Sequence, residues 1–167
     1  YYGYDFAYND SDPNDVDGHG THVAGTVAAV SNGLGVLGGN PVAKILPIKV
    51  LDDNGDGSTS AIVRGINYAV QRGVKVLNMS LGGPGYSYAM EHAIQLAGEA
   101  GCLSIVAAGN ENNNNDVNPV SPASFDIDSM ISVGATTPTD TRASFSNYGL
   151  KTVDLYAPGQ SILSTGS

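Results

Sequence analysis

The chain has 167 residues, 41% of them apolar, with 16 acidic against 7 basic side chains, a net charge of −9 and a pI near 4.4. That length suits one domain or part of one, and the acidity argues against nucleic acid, which needs a basic patch, and against an anionic membrane surface. No apolar run approaches the roughly 18–20 residues of a membrane-crossing helix, and no signal peptide is recognised. The chain opens on Tyr1 rather than Met, so its natural start is expected to lie elsewhere or to have been removed.

In chain order, small residues from Val23 to Ala29 begin a helix just after His19. Ala43 to Leu51 reads as a buried strand, because Ile45, Leu46, Ile48, Val50 and Leu51 leave few polar positions. Gly57-Ser58-Thr59-Ser60 supplies turn and cap residues for a helix over Ala61 to Arg72, with Ile62, Ile66, Tyr68 and Ala69 at helical spacing and Gly73 as its stop. Lys75 to Met79 is a second strand, Tyr88 to Ala100 a helix closed by Gly101, and Leu103 to Ala108 a third strand. Ser129 to Ala135 and Thr152 to Tyr156 complete the strands. This β-α-β-α-β order predicts an α/β fold, a mainly parallel sheet in a three-layer α/β/α arrangement with helices on both faces. In such sheets ligands bind beyond the carboxyl ends of the strands. There is no internal repeat and no interdomain linker, and the only low-complexity tract, Asn112 to Asn115, falls in a polar loop. Cys102 is the single cysteine, so no internal disulfide forms, and its apolar surroundings make it a small core residue.

The most informative segment is Asp17-Gly18-His19-Gly20-Thr21-His22-Val23-Ala24-Gly25-Thr26. Two glycines let the backbone turn tightly and leave the His19 imidazole uncrowded at a loop-to-helix junction, where it can take and return a proton near neutral pH. The alternative is a buried, hydrogen-bonded histidine at a helix start. Two strand ends are also unusual. The second strand runs out into Ser80-Leu81-Gly82-Gly83, whose open backbone can accept an extended peptide as an added strand. The third runs out into Ala107-Ala108-Gly109-Asn110-Glu111, where the Asn110 amide is placed to donate to an oxyanion or, alternatively, to bond its own turn.

Eight segments in order resemble the subtilisin-like serine proteases, the subtilases of peptidase family S8. They are the His19 decamer, Gly35-Val36-Leu37-Gly38, Lys49-Val50-Leu51, Asn78-Met79-Ser80-Leu81-Gly82-Gly83, Ala107-Ala108-Gly109-Asn110-Glu111, Ser132-Val133-Gly134-Ala135, Arg142-Ala143-Ser144-Phe145-Ser146-Asn147 and Ala157-Pro158-Gly159. The resemblance implies a secreted serine endopeptidase, made with an N-terminal propeptide and working as a monomer on polypeptide substrates. His19 would be its general base, His22 a structural histidine and Asn110 the oxyanion donor. Ser80, Leu81 and Gly82 would form one edge of the substrate cleft and Gly55, Asp56 and Gly57 the facing edge. Ala107, Ala108 and Gly109 would line a roomy apolar pocket that prefers large apolar side chains. Residues 1–167 would be the central part of one catalytic domain. The family's triad order is Asp, His, Ser. Its Asp strand and its Gly-Thr-Ser-Met-Ala segment do not occur in this sequence, so the piece alone is expected to be inactive. A self-contained triad of His19, Asp154 and Ser161 is disfavoured, since neither Gly-x-Ser-x-Gly nor Ser-x-x-Lys is present.

Calcium is the implied cofactor. Val30, Leu34 and Val36 would offer carbonyls and Asn32 its side-chain oxygen, as in the family's high-affinity loop, completed by an Asp outside this sequence. Asp5, Asp10, Asp12 and Asn14 resemble a calcium loop of thermitase-like subtilases, with Tyr8 where a further acid is usual; the alternative is a solvated acidic loop. Asp52-x-Asn54-x-Asp56-Gly57 opens like an EF-hand but lacks the bidentate Glu, Val63 standing at the twelfth position. Pro122 falls where the family often carries a cis proline. Two other readings remain: a non-catalytic relative kept for peptide binding or as a calcium-stabilised domain, and an unrelated α/β anion binder. The second lacks both phosphate-loop fingerprints.

Overall fold

The structure, a computed structural model, describes residues 3–166. Eight strands and three helices occur among them: β1 (Tyr4–Asp5), α1 (His19–Ala28), β2 (Ile48–Lys49), α2 (Thr59–Gln71), β3 (Val76–Met79), β4 (Gly83–Pro84), α3 (Tyr88–Glu99), β5 (Leu103–Ala107), β6 (Val120–Ser121), β7 (Met130–Thr136) and β8 (Leu155–Pro158). Their contacts define two compact units. One holds the described residues up to Gly65 and those from Leu163 onward; the other is Ile66–Ile162.

The unit Ile66–Ile162 is built on a parallel sheet in the order β3-β5-β7-β8. Register pairs Val76 with Leu103, Ser104 with Met130 and Val133 with Leu155. Because strand side chains alternate between faces, Leu77, Met79, Ser104, Val106, Met130 and Ser132 point to one buried face. Helix α3 packs on β5 and buries Met90, Ala93, Ile94 and Ala97. Ile94 and Val106 are 0% and 1% exposed, and each such burial contributes about 1.5–3 kcal/mol. On the opposite face Val76, Leu103 and Leu155 stay 57%, 38% and 44% exposed. Ser87 caps α3, its Oγ accepting the Met90 N–H, and Gly101 at φ +84° ends it. Cys102 is buried, its thiol directed at the Val74 carbonyl, as a core residue.

One strand boundary and one strand pair in this unit differ from expectation. β8 begins at Leu155, three residues later than predicted. The antiparallel pair β4–β6 has no signal in sequence, because two residues per strand are too few for any periodicity. Its β6 side leads into a cis Ser121–Pro122 peptide.

In the other unit, β1 and β2 pair in parallel, Tyr4 with Ile48 and Asp5 with Lys49. The predicted buried strand over Ala43 to Leu51 shrinks to Ile48–Lys49, and Ile45 is 47% exposed. An apolar run becomes a long strand only when neighbours extend along it, and β1 offers two residues. Ser58 Oγ accepts the Ala61 N–H at the start of α2. Residues Ser164 and Thr165 lie on α1: Ser164 Oγ donates to the His22 carbonyl and Thr165 Oγ1 to that of Thr21, at 2.6 and 2.7 Å. Gly25 makes this approach possible, since a Cβ there would sit 2.1 Å from Thr165 Oγ1.

Candidate active site

His19 is the first residue of α1, and it is exposed. Gly18 precedes it at φ +92°, in the left-handed region that suits glycine. Gly18 has no side chain to cap the helix, so the cap comes from further back. Asp15 accepts the Gly18 N–H at 3.0 Å, and the Thr21 N–H and hydroxyl at 2.7 Å each. A carboxylate here also faces the positive end of the helix dipole. Burial pushes the Asp15 carboxyl up, but the Thr21 and Gly18 hydrogen bonds and the nearby His19 outweigh it and hold it below the ordinary value. The Asp17 carboxylate also accepts the His19 N–H at 3.2 Å. Asp15 is a site residue that the sequence reading missed; its spacing to Thr21 is outside the usual capping patterns.

Asn110 sits just beyond β5, after Gly109 at φ +110°. Its side chain is exposed, and its N–H donates to Glu111 Oε2 at 2.9 Å. Beneath it lies Asn147, 0% exposed. Asn147 Oδ1 accepts the Glu111 and Asn113 N–H groups at 2.8 and 2.9 Å. Its Nδ2 donates to the Ala108 carbonyl at 3.0 Å and to Glu111 Oε2 at 2.8 Å, and its own N–H donates to the Gly109 carbonyl. The tract read as low complexity is a hydrogen-bonded cage. Asn115 Nδ2 donates to the Ala108 carbonyl at 2.8 Å, Asn113 Nδ2 to Asn115 Oδ1 at 2.9 Å, and Arg142 Nη1 to Asn112 Oδ1 at 2.9 Å.

The residues expected to meet substrate fall at two places in the unit Ile66–Ile162 and at one in the other unit. Ser80, Leu81 and Gly82 continue past the end of β3, outside its ladder. Ala107 closes β5, Ala108 is 1% exposed, and Gly109 follows. In the other unit Gly55, Asp56 and Gly57 form a tight turn in which Asp52 Oδ1 accepts the Asn54 and Asp56 N–H groups at 2.9 and 3.0 Å. Those bonds, first the one from Asn54, hold the Asp52 carboxyl below its ordinary value. Asp56 and Gly57 border an open groove of about 410 Å³ that Phe6, Tyr8, Ala61 and Arg64 also line.

Two loops were expected to bind calcium, and they differ. In the first, Asp5 is 1% exposed, and its Oδ1 accepts the Ala7 and Tyr8 N–H groups. Asp10 and Asp12 accept the N–H groups two residues on. A positive charge is already present. The Lys49 ammonium lies 3.7 Å from Asp5 Oδ2, donates to the Asn14 carbonyl at 3.2 Å and pairs with Asp53. It also stands 5.0 Å above the Tyr8 ring, a cation–π distance. Asp53 first, then Asp5 and Tyr8, raise the Lys49 pKa against the opposing effect of burial. The Lys49 ammonium thus supplies at Asp5 and Asn14 the positive charge that a calcium ion would bring. In the second loop, Asn32 Oδ1 accepts the Leu34 N–H at 3.0 Å, and Val30, Asn32, Leu34, Gly35 and Val36 line a cavity of about 220 Å³ with Ser164 and Thr165. Its donors are neutral oxygens, which suit calcium in kind, and the four expected ones fall short of the six to eight it takes. Among the described residues no three His, Cys, Asp or Glu side chains converge as a metal site.

A parallel α/β sheet, a glycine-flanked histidine opening a helix and an asparagine beyond a strand end together define the class. The profile of the Subtilase family matches residues 2–167. The chain is 46% identical to subtilisin DY of Bacillus licheniformis over 98% of its own length and 59% of that protein's. It is 47% identical to an extracellular serine proteinase of Thermus sp. strain Rt41A over 97% of its length and 37% of that protein's. The crystal structure of a cold adapted subtilisin-like serine proteinase superimposes with a TM-score of 0.81 at 40% identity, covering 98% of this chain and 57% of that one. The chain belongs to the subtilase family and has its subtilisin-like α/β/α fold. It spans between about a third and three fifths of the length of these relatives.

Proposed function

We propose that the full-length protein is a serine endopeptidase that hydrolyses peptide bonds in proteins, with His19 as general base and Asn110 as oxyanion donor. The observation that carries this is the intact histidine segment at the start of a capped α1 in a chain that belongs to the subtilase family. The base would take the proton of a serine nucleophile and return it to the leaving amine. Ser80–Gly82 and Gly55–Gly57 would offer backbone to an extended polypeptide, and Ala107, Ala108 and Gly109, with small or absent side chains, would favour large apolar residues before the scissile bond. Val30, Asn32, Leu34 and Val36 would hold a structural calcium together with ligands from elsewhere. Secretion, a propeptide and a monomeric state are part of the same reading, the first supported by the name of the Thermus relative.

The test is turnover of the full-length protein on denatured casein and on peptide anilides, with and without His19→Ala. The variant is expected to lose at least two to four orders of magnitude in kcat, the contribution of a positioned general base. A folded wild-type protein with no turnover identifies a non-catalytic relative instead. Equal cleavage after charged and aromatic residues rejects the pocket preference.

A further inference from the structure

We infer that Asn147 is the positioning residue of the oxyanion donor: it fixes where Asn110 stands, through the backbone on both sides of it and through Glu111. The inference rests on the peptidase reading above.

The argument begins with saturation. A carboxamide has two donor hydrogens and one acceptor oxygen with two lone pairs. Asn147 uses every one of them on the segment 108–113: the Glu111 and Asn113 N–H groups on Oδ1, the Ala108 carbonyl and Glu111 Oε2 on Nδ2. Its backbone N–H takes the Gly109 carbonyl. Asn110 is thus bracketed by bonds at residues 108, 109 and 111, all from one side chain or its own amide. The same Glu111 Oε2 that accepts from Asn147 also accepts the Asn110 N–H at 2.9 Å. Asn147 at 0% exposure cannot rearrange into water, and a half-satisfied buried amide is costly. Contact is close enough to demand glycine at position 109, where a Cβ would fall 2.2 Å from Asn147 Nδ2. A donor for an oxyanion acts only if it is held where charge develops, and shifts near 1 Å cost about a hundredfold.

The test measures kcat and KM of the full-length protein carrying Asn147→Ala, Asn110→Ala and both. Removing such a donor outright costs subtilisin about a hundred- to a thousandfold in turnover. Asn147→Ala is expected to lower kcat about ten- to a hundredfold with KM little changed, and to cost nothing further once Asn110 is alanine. A residue needed only for folding would lower the two backgrounds by the same factor, and that result overturns the inference. Should Asn147→Ala fail to fold, Glu111→Ala carries the same comparison: the Glu111 side chain is exposed and links Asn147 to the Asn110 amide. Its loss is likewise expected only when Asn110 is present; equal loss without it overturns the inference. A wild-type protein without turnover, or indifferent to Asn110→Ala, removes the peptidase reading and this inference with it. An active, Asn110-dependent protein with additive losses overturns this inference alone.

Discussion

Asp15 shows how a single carboxylate sets up a histidine it does not follow directly in sequence. Three hydrogen bonds from Gly18 and Thr21 converge on it at the start of α1. Its folded pKa lies below the ordinary 3.8, so its contribution to stability is complete above that value and fades as pH falls through the lower folded one. Asp15→Asn keeps an acceptor oxygen but removes the charge, and is expected to destabilise the full-length protein by about 0.3–1 kcal/mol at pH 7, the worth of a carboxylate at a helix N-terminus. The difference between the two proteins should shrink below pH 3.8; chemical denaturation at both ends of that range measures it, and a pH-independent difference rejects the argument. At this scale legibility followed distance along the chain. The places of His19 at a helix start and of Asn110 beyond a strand end follow from their immediate neighbours. Those of Asp15, Asn147 and Lys49 do not, because each also bonds a residue further off, 6, 36 and 35 positions away.

Among elements, α3 was the most legible, since Ser87 and Gly101 mark its ends and its apolar residues recur at helical spacing. Just before it, Tyr86 donates to Glu91 in its first turn and stacks edge-on against Phe125. Burial, then the Glu91 bond and charge, push the phenol up to about 12. A folded pKa above the ordinary 10.0 means that this contact is fully present below pH 10 and is lost as pH rises through about 12. An ultraviolet phenolate titration should lose its highest-titrating tyrosine on Tyr86→Phe; an unchanged upper limb would show that Tyr86 is not that group. The strand over Ala43 to Leu51 was the least legible. Composition reports that a segment is apolar but not how many strands flank it, and with β1 so short only Ile48 and Lys49 pair.

At the scale of the whole molecule, the parallel pairing of β3 with β5 could be read from the helix between them, because a βαβ crossover leaves few other arrangements, whereas β7 and β8 join the sheet with no helix directly before them. The cation balance could not. An acidic loop and a calcium loop look alike in sequence, and only the position of the Lys49 ammonium tells that the Asp5–Asn14 loop carries its own counter-charge. Calcium dependence is therefore expected to reside in the Val30–Val36 loop alone. Chelation of the full-length protein should lower its Tm by about 5–10 °C, the effect of removing a ligand present at about a hundred times its Kd. Asn32→Ala should lower Tm similarly and abolish the response to chelator, while Asp12→Ala should leave the response intact. A Tm that ignores chelator rejects calcium in this loop.

The seating of Ser164 and Thr165 on α1 has a consequence for how the protein is born. Those bonds join residues 138 to 144 positions apart, with all of Ile66–Ile162 made in between. At ribosomal speeds of about 5–20 residues per second, His19 leaves the tunnel some 7–30 seconds before the residues that cover its helix. Strands β3, β5 and β7 can pair during that wait, while β8 is made just before Ser164. The histidine's own unit cannot close until Ser164 and Thr165 arrive, so His19 and α1 are expected to be among the last parts of the nascent chain to settle.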